Sequence, residues 1–394
     1  MLQRGLQMTM TDRQADIRPQ RSLMRECAGA CGDLGTFVPH VIGAMTVAGL
    51  APAGVLFGFG VSFVAAGLFY GLPMAVQPMK AVSAVLLTGQ LNLQATAAAG
   101  LVIGAVLLVL GATGLIGRVA RLIPQSVTAG LQLGLGLMMG WLGLTMVLQT
   151  PWIGFPALAL LFGVPRLWPQ APVAPLVLIA AVAVGLSTGL TPTPEVAGFS
   201  LHLPRLVLPE SWSVVWQAIE MAALPQMPLT LTNAVIVTAA ICRDLYPDRA
   251  NRATVRNLAL TSGAMNLLLA PFGAMPMCHG AGGITAQHRF GARTGLAPVL
   301  FGAVLLVLAL GFAGSAAALF ATIPLSAVGA LLLVAGTDLA LSRRLFDARP
   351  DCWPVIGVTA VATALFNPAL GLMAGWGMEV MRGTVKRLRA PTQG

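Results

Sequence analysis

The sequence predicts an all-α polytopic membrane protein with about fourteen transmembrane segments, arranged as two inverted repeats of seven segments with one half-helix in each. Its composition, the spacing of its apolar runs and the distribution of its charges support this fold class. Hydrophobic residues make up 57% of the 394-residue chain and charged residues only 9%, whereas about a quarter of the residues in a soluble domain are charged. The composition therefore excludes a soluble globular protein.

The apolar runs account for the number and order of the segments. Counted at roughly 20 residues for a full span, they form seven segments on each side of a polar stretch at residues 191–223. Because seven is odd, the second half enters the membrane in the opposite direction, as an inverted repeat requires. Within the polar stretch, Trp212 and Trp216 indicate a helix that lies in the membrane interface. The predicted divisions are an N-terminal tail at 1–26, a first membrane repeat at 27–190, an extracytoplasmic loop with the interfacial helix at 191–223, a second membrane repeat at 224–384 and a C-terminal tail at 385–394.

The basic residues lie almost entirely on one side of the predicted membrane. If the N-terminus is cytoplasmic, all of the 23 lysines and arginines except Lys80 and Arg205 fall on the cytoplasmic side. Lysine and arginine accumulate in the cytoplasmic loops of membrane proteins. We therefore expect both termini in the cytoplasm, at the inner membrane of a bacterium. The net charge of +10 is a consequence of this topology and does not indicate nucleic-acid binding.

Small residues recur along many of the predicted segments. Gly100 with Gly104, and Gly136 with Gly140, are pairs of glycines four residues apart. Such pairs let membrane helices approach each other closely. We expect these glycines to serve helix packing without contacting a substrate.

Two interrupted apolar segments, one in each half, carry the expected functional site. Residues 72–89 read LPMAVQPMKAVSAVLLTG, and residues 271–295 read PFGAMPMCHGAGGITAQHRFGARTG. Irregular backbone at membrane depth is tolerated only where it is buried in protein or lines a cavity. A pair of such segments in corresponding positions indicates the midplane site of a secondary transporter. We expect a short helix to begin near Gly280, with its free N–H groups and positive dipole end directed at an anion.

Few polar side chains lie within the apolar segments, and each has more than one possible role. Lys80 is expected to be the counter-charge of the anion, and the alternative is an ion pair with Asp33. Asp33 can cap a helix, pair with Lys80 or carry a coupling proton, and the sequence does not decide among these roles. His279 can face the ligand or be a buried structural histidine. Asn233 can bond the substrate or join two helices.

The glycines after His279 are expected to let backbone N–H groups approach an oxyanion, with a positive φ at Gly282. The expected substrate-binding residues are Thr36, Gln77, Pro78, Met79, Lys80, Asn233, His279, Gly280, Ala281, Gly282 and Gly283, with Asp33 assigned to ion coupling or pairing. No metal and no cofactor are expected, because the five cysteines have no metal-type spacing.

Four motifs resemble the molybdate transporter family of bacteria, algae and plants, a distant branch of the sulfate-permease superfamily. They are GDLGTFVPH at 32–40, MAVQPMKAVSA at 74–84, PQMPLTLTNAV at 225–235 and PMCHGAGGITAQHRFGARTG at 276–295. The resemblance implies a core domain made of the first four segments of each repeat and a gate domain made of the others. It also implies that the third and tenth segments are half-helices that face each other across the substrate. His288 stands where the last motif is expected to carry a tyrosine.

The function that follows is secondary-active transport of molybdate or a related tetrahedral oxyanion, sulfate or tungstate, by alternating access. A nucleobase or organic-anion permease of the same architecture is the alternative. An enzyme is not expected, because no nucleophile and base, and no cluster of metal ligands, share a segment. The expected partners are the oxyanion and the lipid bilayer, homodimerisation stays open, and nucleic acid is excluded.

Overall fold

The structure is a computed structural model that describes residues 23–168, 171–194 and 198–389. Most of the predicted N-terminal tail and the last five residues of the predicted C-terminal tail lie outside the described residues. Helices make up most of the rest. The helices of the first half are α1 (Leu23–Ala30), α2 (Leu34–Thr46), α3 (Pro52–Tyr70), α4 (Lys80–Leu87), α5 (Leu93–Thr113), α6 (Ile116–Leu122), α7 (Gln125–Val147), α8 (Pro151–Leu167) and α9 (Val173–Ser187).

The helices of the second half follow after residues 198–211, which form neither helix nor strand. They are α10 (Trp212–Leu245), α11 (Val255–Leu269), α12 (Ala281–Arg289), α13 (Leu296–Gly311), α14 (Ala313–Ala321), α15 (Leu325–Ala340), α16 (Arg343–Phe346), α17 (Trp353–Leu365) and α18 (Pro368–Arg389). The strands β1 (Val76–Pro78) and β2 (Met277–His279) precede α4 and α12. The all-α prediction therefore missed a two-stranded antiparallel sheet.

Within the described residues, five helices are long and apolar enough to cross a bilayer, or six if α13 and α14, which meet at 95°, form one span. Three shorter apolar helices include α8 and α9. The predicted number of segments is larger because many are short or broken. A 3₁₀ turn at Cys31–Asp33 separates α1 from α2, and Pro156 lies inside α8.

The predicted interfacial helix is not a separate element. Trp212 begins α10, a continuous helix of 34 residues, and the boundary predicted at residue 224 falls inside it. Pro225 and Pro228 lie within the helix between π-helical turns at Ile219–Ala223 and Thr230–Val237. Prolines usually kink or end a helix, and the wider turns on each side accommodate them here. Sequence reasoning therefore placed a helix start where the helix continues.

The most extensive helix packing joins the first half of the chain to the second. Helix α3 packs on α13, α5 on α11, and α7 on α15. Glycines make these contacts close, as the sequence predicted: a Cβ at Gly104 would lie 2.7 Å from the backbone nitrogen of Leu267, and one at Gly143 would lie 2.6 Å from the carbonyl oxygen of Gly329. Each half therefore completes the packing surface of the other.

Candidate functional site

The two strands bring both interrupted segments to one place. Val76 pairs with His279, Gln77 with Cys278 and Pro78 with Met277, in antiparallel register. Each strand is followed within two residues by a helix, α4 after β1 and α12 after β2. The N-terminal ends of these helices therefore meet at the strand pair.

The start of α12 leaves its first N–H groups free. Its N-cap, Gly280, is extended and gives no side-chain cap, and the first bond into the helix runs from the N–H of Ile284 to the carbonyl of Gly280. In the described part of the chain, the N–H groups of Ala281, Gly282 and Gly283 have no acceptor. Such groups, at the positive end of a helix, form a site for an anion.

The start of α4 is partly capped from α10. The N–H of Ala81 donates to Oε1 of Gln226 at 2.9 Å, and Nε2 of Gln226 donates to Thr230 at 2.9 Å. Sequence reasoning missed Gln226, although it lies in one of the four motifs. Its buried amide closes one donor of α4, so this helix start offers fewer free N–H groups than α12.

Lys80 is the first residue of α4 and is half-buried. Throughout the ranges that the structure describes, its ammonium group makes no hydrogen bond and no salt bridge, so the alternative of an ion pair with Asp33 is not observed. Lys80 lies within Coulombic range of Asp33, His40 and Asp338. A half-buried cation without a contact partner beside two helix N-termini is a feature that an anion would complete.

Asp33 and Gln77 form the back of the site. Asp33 is only 4% exposed, and its Oδ1 accepts a hydrogen bond of 2.5 Å from Nε2 of Gln77. Its Oδ2 has no hydrogen-bond partner among the described residues. A Cβ at Gly283 would lie 2.5 Å from this Oδ2, and one at Gly280 would lie 2.7 Å from Cγ of Gln77. The two glycines therefore make room for first-half side chains.

The remaining predicted residues of the first half surround this arrangement. Thr36 lies in the first turn of α2, three residues after Asp33, and is half-buried. Pro78 is buried in β1. Met79 is fully buried, and its N–H donates to the carbonyl of Pro276 at 2.9 Å. Pro78 and Met79 thus hold the junction of strand and helix.

His279 is a fully buried residue with both ring nitrogens engaged. Nε2 lies 2.8 Å from the hydroxyl of Thr261, and Nδ1 lies 3.3 Å from the carbonyl oxygen of Ala75. The ring packs edge-to-face on Tyr70, whose hydroxyl lies 2.7 Å from that of Thr261. The geometry agrees with the buried structural reading: the imidazole ties β2 to the stretch before β1.

Gly282 differs from its predicted geometry. Among the residues described, only glycines adopt positive φ, and Gly282 is not one of them. No atom lies within 4 Å of the position that a Cβ would take there. The expectation of a positive φ at Gly282 is therefore wrong, because the residue sits in the first turn of a regular helix. Gly282 is exposed, and the space beside its Cα is open.

Asn233 does not join the helix starts directly. Its Oδ1 accepts a hydrogen bond of 2.7 Å from Nη2 of Arg344, which also donates to Thr232 at 3.0 Å. Nη1 of Arg344 is buried without a partner. Sequence reasoning grouped Arg344 with the loop charges and gave it no role. The contact links α10 to α16, so it favours the reading of Asn233 as a helix-to-helix bond.

Two contacts anchor the far end of α12. The buried carboxylate of Glu26 accepts from the backbone N–H groups of Arg293 and Thr294, both at 3.1 Å. Nδ1 of His288 lies 2.9 Å from the hydroxyl of Tyr246. These contacts fix the C-terminal end of the short helix, and the strand pair fixes its start, so its free N–H groups have a defined direction.

Across the described part of the chain, no group of three or more histidine, cysteine or acidic side chains is able to hold a metal ion. The positive charge at the site comes from Lys80 and from two helix N-termini worth about half a charge each. This arrangement can bind an anion through backbone N–H groups and one ammonium group.

Sequence comparison identifies a family. The family described as molybdate transporter of MFS superfamily matches residues 25–139 and 218–339. Molybdate transporter 2 of Arabidopsis thaliana is 31% identical over 91% of this chain and 87% of its own length. Molybdate transporter 1 of the same plant is 30% identical over 90% and 87%, and molybdate transporter 1 of Chlamydomonas reinhardtii is 29% identical over 89% of both chains.

Comparison with solved structures identifies the fold. The transmembrane domain of the cyanobacterial bicarbonate transporter BicA matches with a TM-score of 0.69 and 17% identity, over 90% of this chain and 98% of that one. The murine anion transporter Slc26a9 in the inward-facing state matches with a TM-score of 0.72 and 14% identity, over 94% and 70%. The chain therefore shares the helical fold of these two proteins, which is consistent with a polytopic membrane protein.

Proposed function

The chain belongs to the molybdate transporter family, and from this premise we propose that it carries molybdate, or a related tetrahedral oxyanion such as sulfate or tungstate, across the membrane by alternating access. The observation that carries the proposal is the meeting of two helix N-termini with Lys80, where three N–H groups and one ammonium group have no partner in the described chain. The relatives are transporters, so the chemistry is recognition and movement, with no bond made or broken.

The charges at the site favour a dianion. Two helix N-termini of about half a positive charge each, together with Lys80, supply roughly the charge that a tetrahedral dianion carries. A neutral nucleobase would leave Lys80 without a counter-charge inside the membrane, which is costly. An organic anion would satisfy Lys80 and remains the second candidate.

The residues have distinct roles in this proposal. The N–H groups of Ala281, Gly282 and Gly283 bind the oxyanion, and the Lys80 ammonium group faces it from α4. Thr36 borders the site from α2. A second group of residues positions these: Gln77, Pro78, Met79, His279 and Gly280 hold the strand pair, while Asn233 and Arg344 join α10 to α16.

We also propose that the chain crosses the membrane fourteen times as two inverted repeats of seven, with the divisions expected from the sequence and both termini in the cytoplasm of a bacterium. The packing supports this symmetry. If α3, β1 with α4, and α5 correspond to α11, β2 with α12, and α13, then the contacts of α3 with α13 and of α5 with α11 are equivalent. The same symmetry exchanges β1 with β2, so it leaves their antiparallel pairing unchanged.

A topology test follows from the proposed crossings. In a protein whose five native cysteines are replaced, a cysteine at Thr193 should react with an impermeant thiol reagent in intact cells. A cysteine at Arg343 should react only after the membrane is opened. Labelling of Arg343→Cys in intact cells, with Thr193→Cys protected, would reverse the orientation.

Alternating access requires the site to be open to one side at a time. Asp338 on α15 is exposed and within Coulombic range of Lys80, which favours a water-filled path from the site past α15. On the other side α2 closes against α4 and α15, since a Cβ at Gly43 would lie 2.9 Å from Leu87 and 3.3 Å from Leu332. In the proposed topology the open side is cytoplasmic. The strand pair would move as one body, carrying both helix starts.

Uptake of radiolabelled molybdate by proteoliposomes tests the function. We expect saturable uptake that excess tungstate or sulfate inhibits and that excess uracil leaves unchanged. A short-chain dicarboxylate is the competitor for the second candidate. Liposomes without protein give the background. Absence of saturable molybdate uptake and binding by folded protein would overturn the proposal, and inhibition by the dicarboxylate alone would favour the organic-anion permease.

A further inference from the structure

We infer that Asp33 is a proton-binding site, and that one proton moves with each dianion through a carboxylic acid formed at Asp33 Oδ2. This inference rests on the proposed anion transport and adds the coupling ion to it. The alternative roles for Asp33, a helix cap or an ion pair with Lys80, lack support in the contacts. Its side chain caps no helix, and it makes no salt bridge in the ranges that the structure describes.

The position of Asp33 places a titratable group directly behind the anion. Its carboxyl group is buried between β1 and the first turn of α12. Oδ1 is occupied by the amide of Gln77, and Oδ2, without a partner, lies against Gly283. Gly283 contributes one of the three free N–H groups of α12. Gly283 therefore lies between the proposed proton site and the proposed anion site and contacts both.

Among the residues that the structure describes, one charged group acts on Asp33, and it is Lys80 on α4. The elements packed against its turn are α1, α2 and α12. On α12 the first seven residues are uncharged, and His288 and Arg289 lie in the last turn. On α2 the titratable group is His40, which bonds Ser83 at 2.7 Å. A separate set of titratable groups lies on α1 and in the turn itself: Arg25, Glu26, Cys27 and Cys31.

The charge balance of the site links the proton to the anion. In the empty site, ionised Asp33 and Lys80 compensate each other at a distance. When a dianion binds, Lys80 and the helix ends neutralise it, and an ionised Asp33 would remain as an uncompensated buried charge. Taking up a proton removes that charge. The two ligands therefore favour each other's binding, and the linkage is reciprocal.

The proton balance of the cycle is simple. An O–H bond forms at Oδ2 with a proton from the water on the outer side, while the site is open there and the anion enters. The same bond breaks on the cytoplasmic side, and the proton leaves to water with the anion. Nothing is oxidised or reduced. Each cycle moves one dianion and one proton, which is a net charge of minus one.

Two measurements test the inference on the intact protein. Wild-type proteoliposomes that contain a pH-sensitive dye should show acidification of the lumen when molybdate is added outside. Molybdate affinity should also fall about tenfold per pH unit over the range in which the carboxyl titrates, at pH values where free molybdate is a dianion. Lumenal pH that stays constant during measured molybdate uptake would overturn the inference and leave the anion transport intact.

The variant Asp33→Asn keeps the size of the side chain and removes the titration. We expect it to exchange labelled for unlabelled molybdate with an affinity that no longer depends on pH, and to lose both lumenal acidification and accumulation driven by a proton gradient. The matched control is Asp244→Asn, an exposed carboxylate near the end of α10, which should keep both. If Asp33→Asn does not fold, the wild-type dye measurement decides. Gradient-driven accumulation by folded Asp33→Asn would exclude Asp33 as the proton site.

Discussion

The two strand–helix segments follow one plan and supply positive charge in different ways. The first begins its helix with Lys80, has no glycine at the helix start, and has one N–H closed by Gln226. The second has three glycines around its helix start and no charged residue before its last turn. One segment provides a side-chain charge and the other provides free backbone N–H groups. In the proposed anion site, the two segments would therefore contribute to binding in different ways.

The difference is also a matter of space. Two of the glycines lie where side chains of the first half approach α12 closely. Gln77 lies against Gly280, and Asp33 lies against Gly283. Gly282 meets no neighbour. The glycine-rich segment is therefore shaped by its partner segment at two positions and is open at one. Substitution at each of these positions tests the assignment.

The largest effect is expected at Gly283. Gly283→Val would force side-chain atoms into Asp33 and Ala75, each within 2.5 Å of the new Cβ. Overpacking of this kind costs about 1 to 3 kcal/mol, and more where backbone cannot shift. We expect a protein with a clearly lowered melting temperature, or none that folds, measured in detergent without ligand. A Gly283→Val protein as stable as wild type would show that the two segments are less tightly joined than described.

The next effect is expected at Gly282. It serves as the control for Gly283, because an added side chain has room at 282 and none at 283. Gly282→Val has room for its side chain and an ordinary φ, so the melting temperature should stay close to that of wild type. Its side chain would occupy the space in front of the free N–H groups, so saturable molybdate binding should be lost. Normal transport by this variant would move the anion away from α12. Gly282→Ala should lie between the two proteins in affinity.

A smaller effect is expected at Lys80, where one charge is removed and the backbone is kept. Lys80→Gln should weaken molybdate binding by about 1.5 to 3 kcal/mol, roughly tenfold to 150-fold, as for the loss of a hydrogen bond to a charged group. Arg118→Gln, on the exposed face of α6, is the control for general charge and should bind as wild type does. Equal affinities for wild type and folded Lys80→Gln would remove Lys80 from the site.

The smallest effect is expected at His279, which holds the segments together without facing the anion. His279→Gln can keep one of the bonds to Thr261 and Ala75 and lose the other, so the free energy of unfolding should fall by about 0.5 to 1.5 kcal/mol. Molybdate affinity should change little. His202→Gln, on the extracytoplasmic stretch of the proposed topology, serves as the control. Loss of transport in a well-folded His279→Gln protein would make the imidazole a ligand after all.

Some of the site was predictable because its signals are local. A glycine-rich stretch after Met277 and His279 indicated a helix that begins near Gly280, and α12 begins one residue later. Closely packed glycines were also predicted, because their spacing is a property of one helix. Lys80 stood out because a cation within an apolar segment is rare.

The rest depends on contacts between distant residues. Strands of three residues are too short to show an alternating pattern, so the β1–β2 pair was invisible in the sequence. The cap from Gln226 to Ala81 joins residues 145 apart, and the bond from Arg344 to Asn233 joins residues 111 apart. The continuity of α10 was hidden because π-helical turns tolerate prolines that usually end a helix. These features belong to the folded arrangement of both halves.

The pairing of first-half helices with second-half helices has a consequence for biosynthesis. Helices α7 and α15 begin at Gln125 and Leu325, about two hundred residues apart. Helices α3 and α5 also pack on helices of the second half, which are synthesised later. At about 5 to 20 residues per second, the ribosome needs on the order of 10 to 40 seconds to make that length. During this interval the glycine-lined faces of the newly inserted first half are without their partners. These faces therefore reach their native packing only after the second half of the chain has been made and inserted.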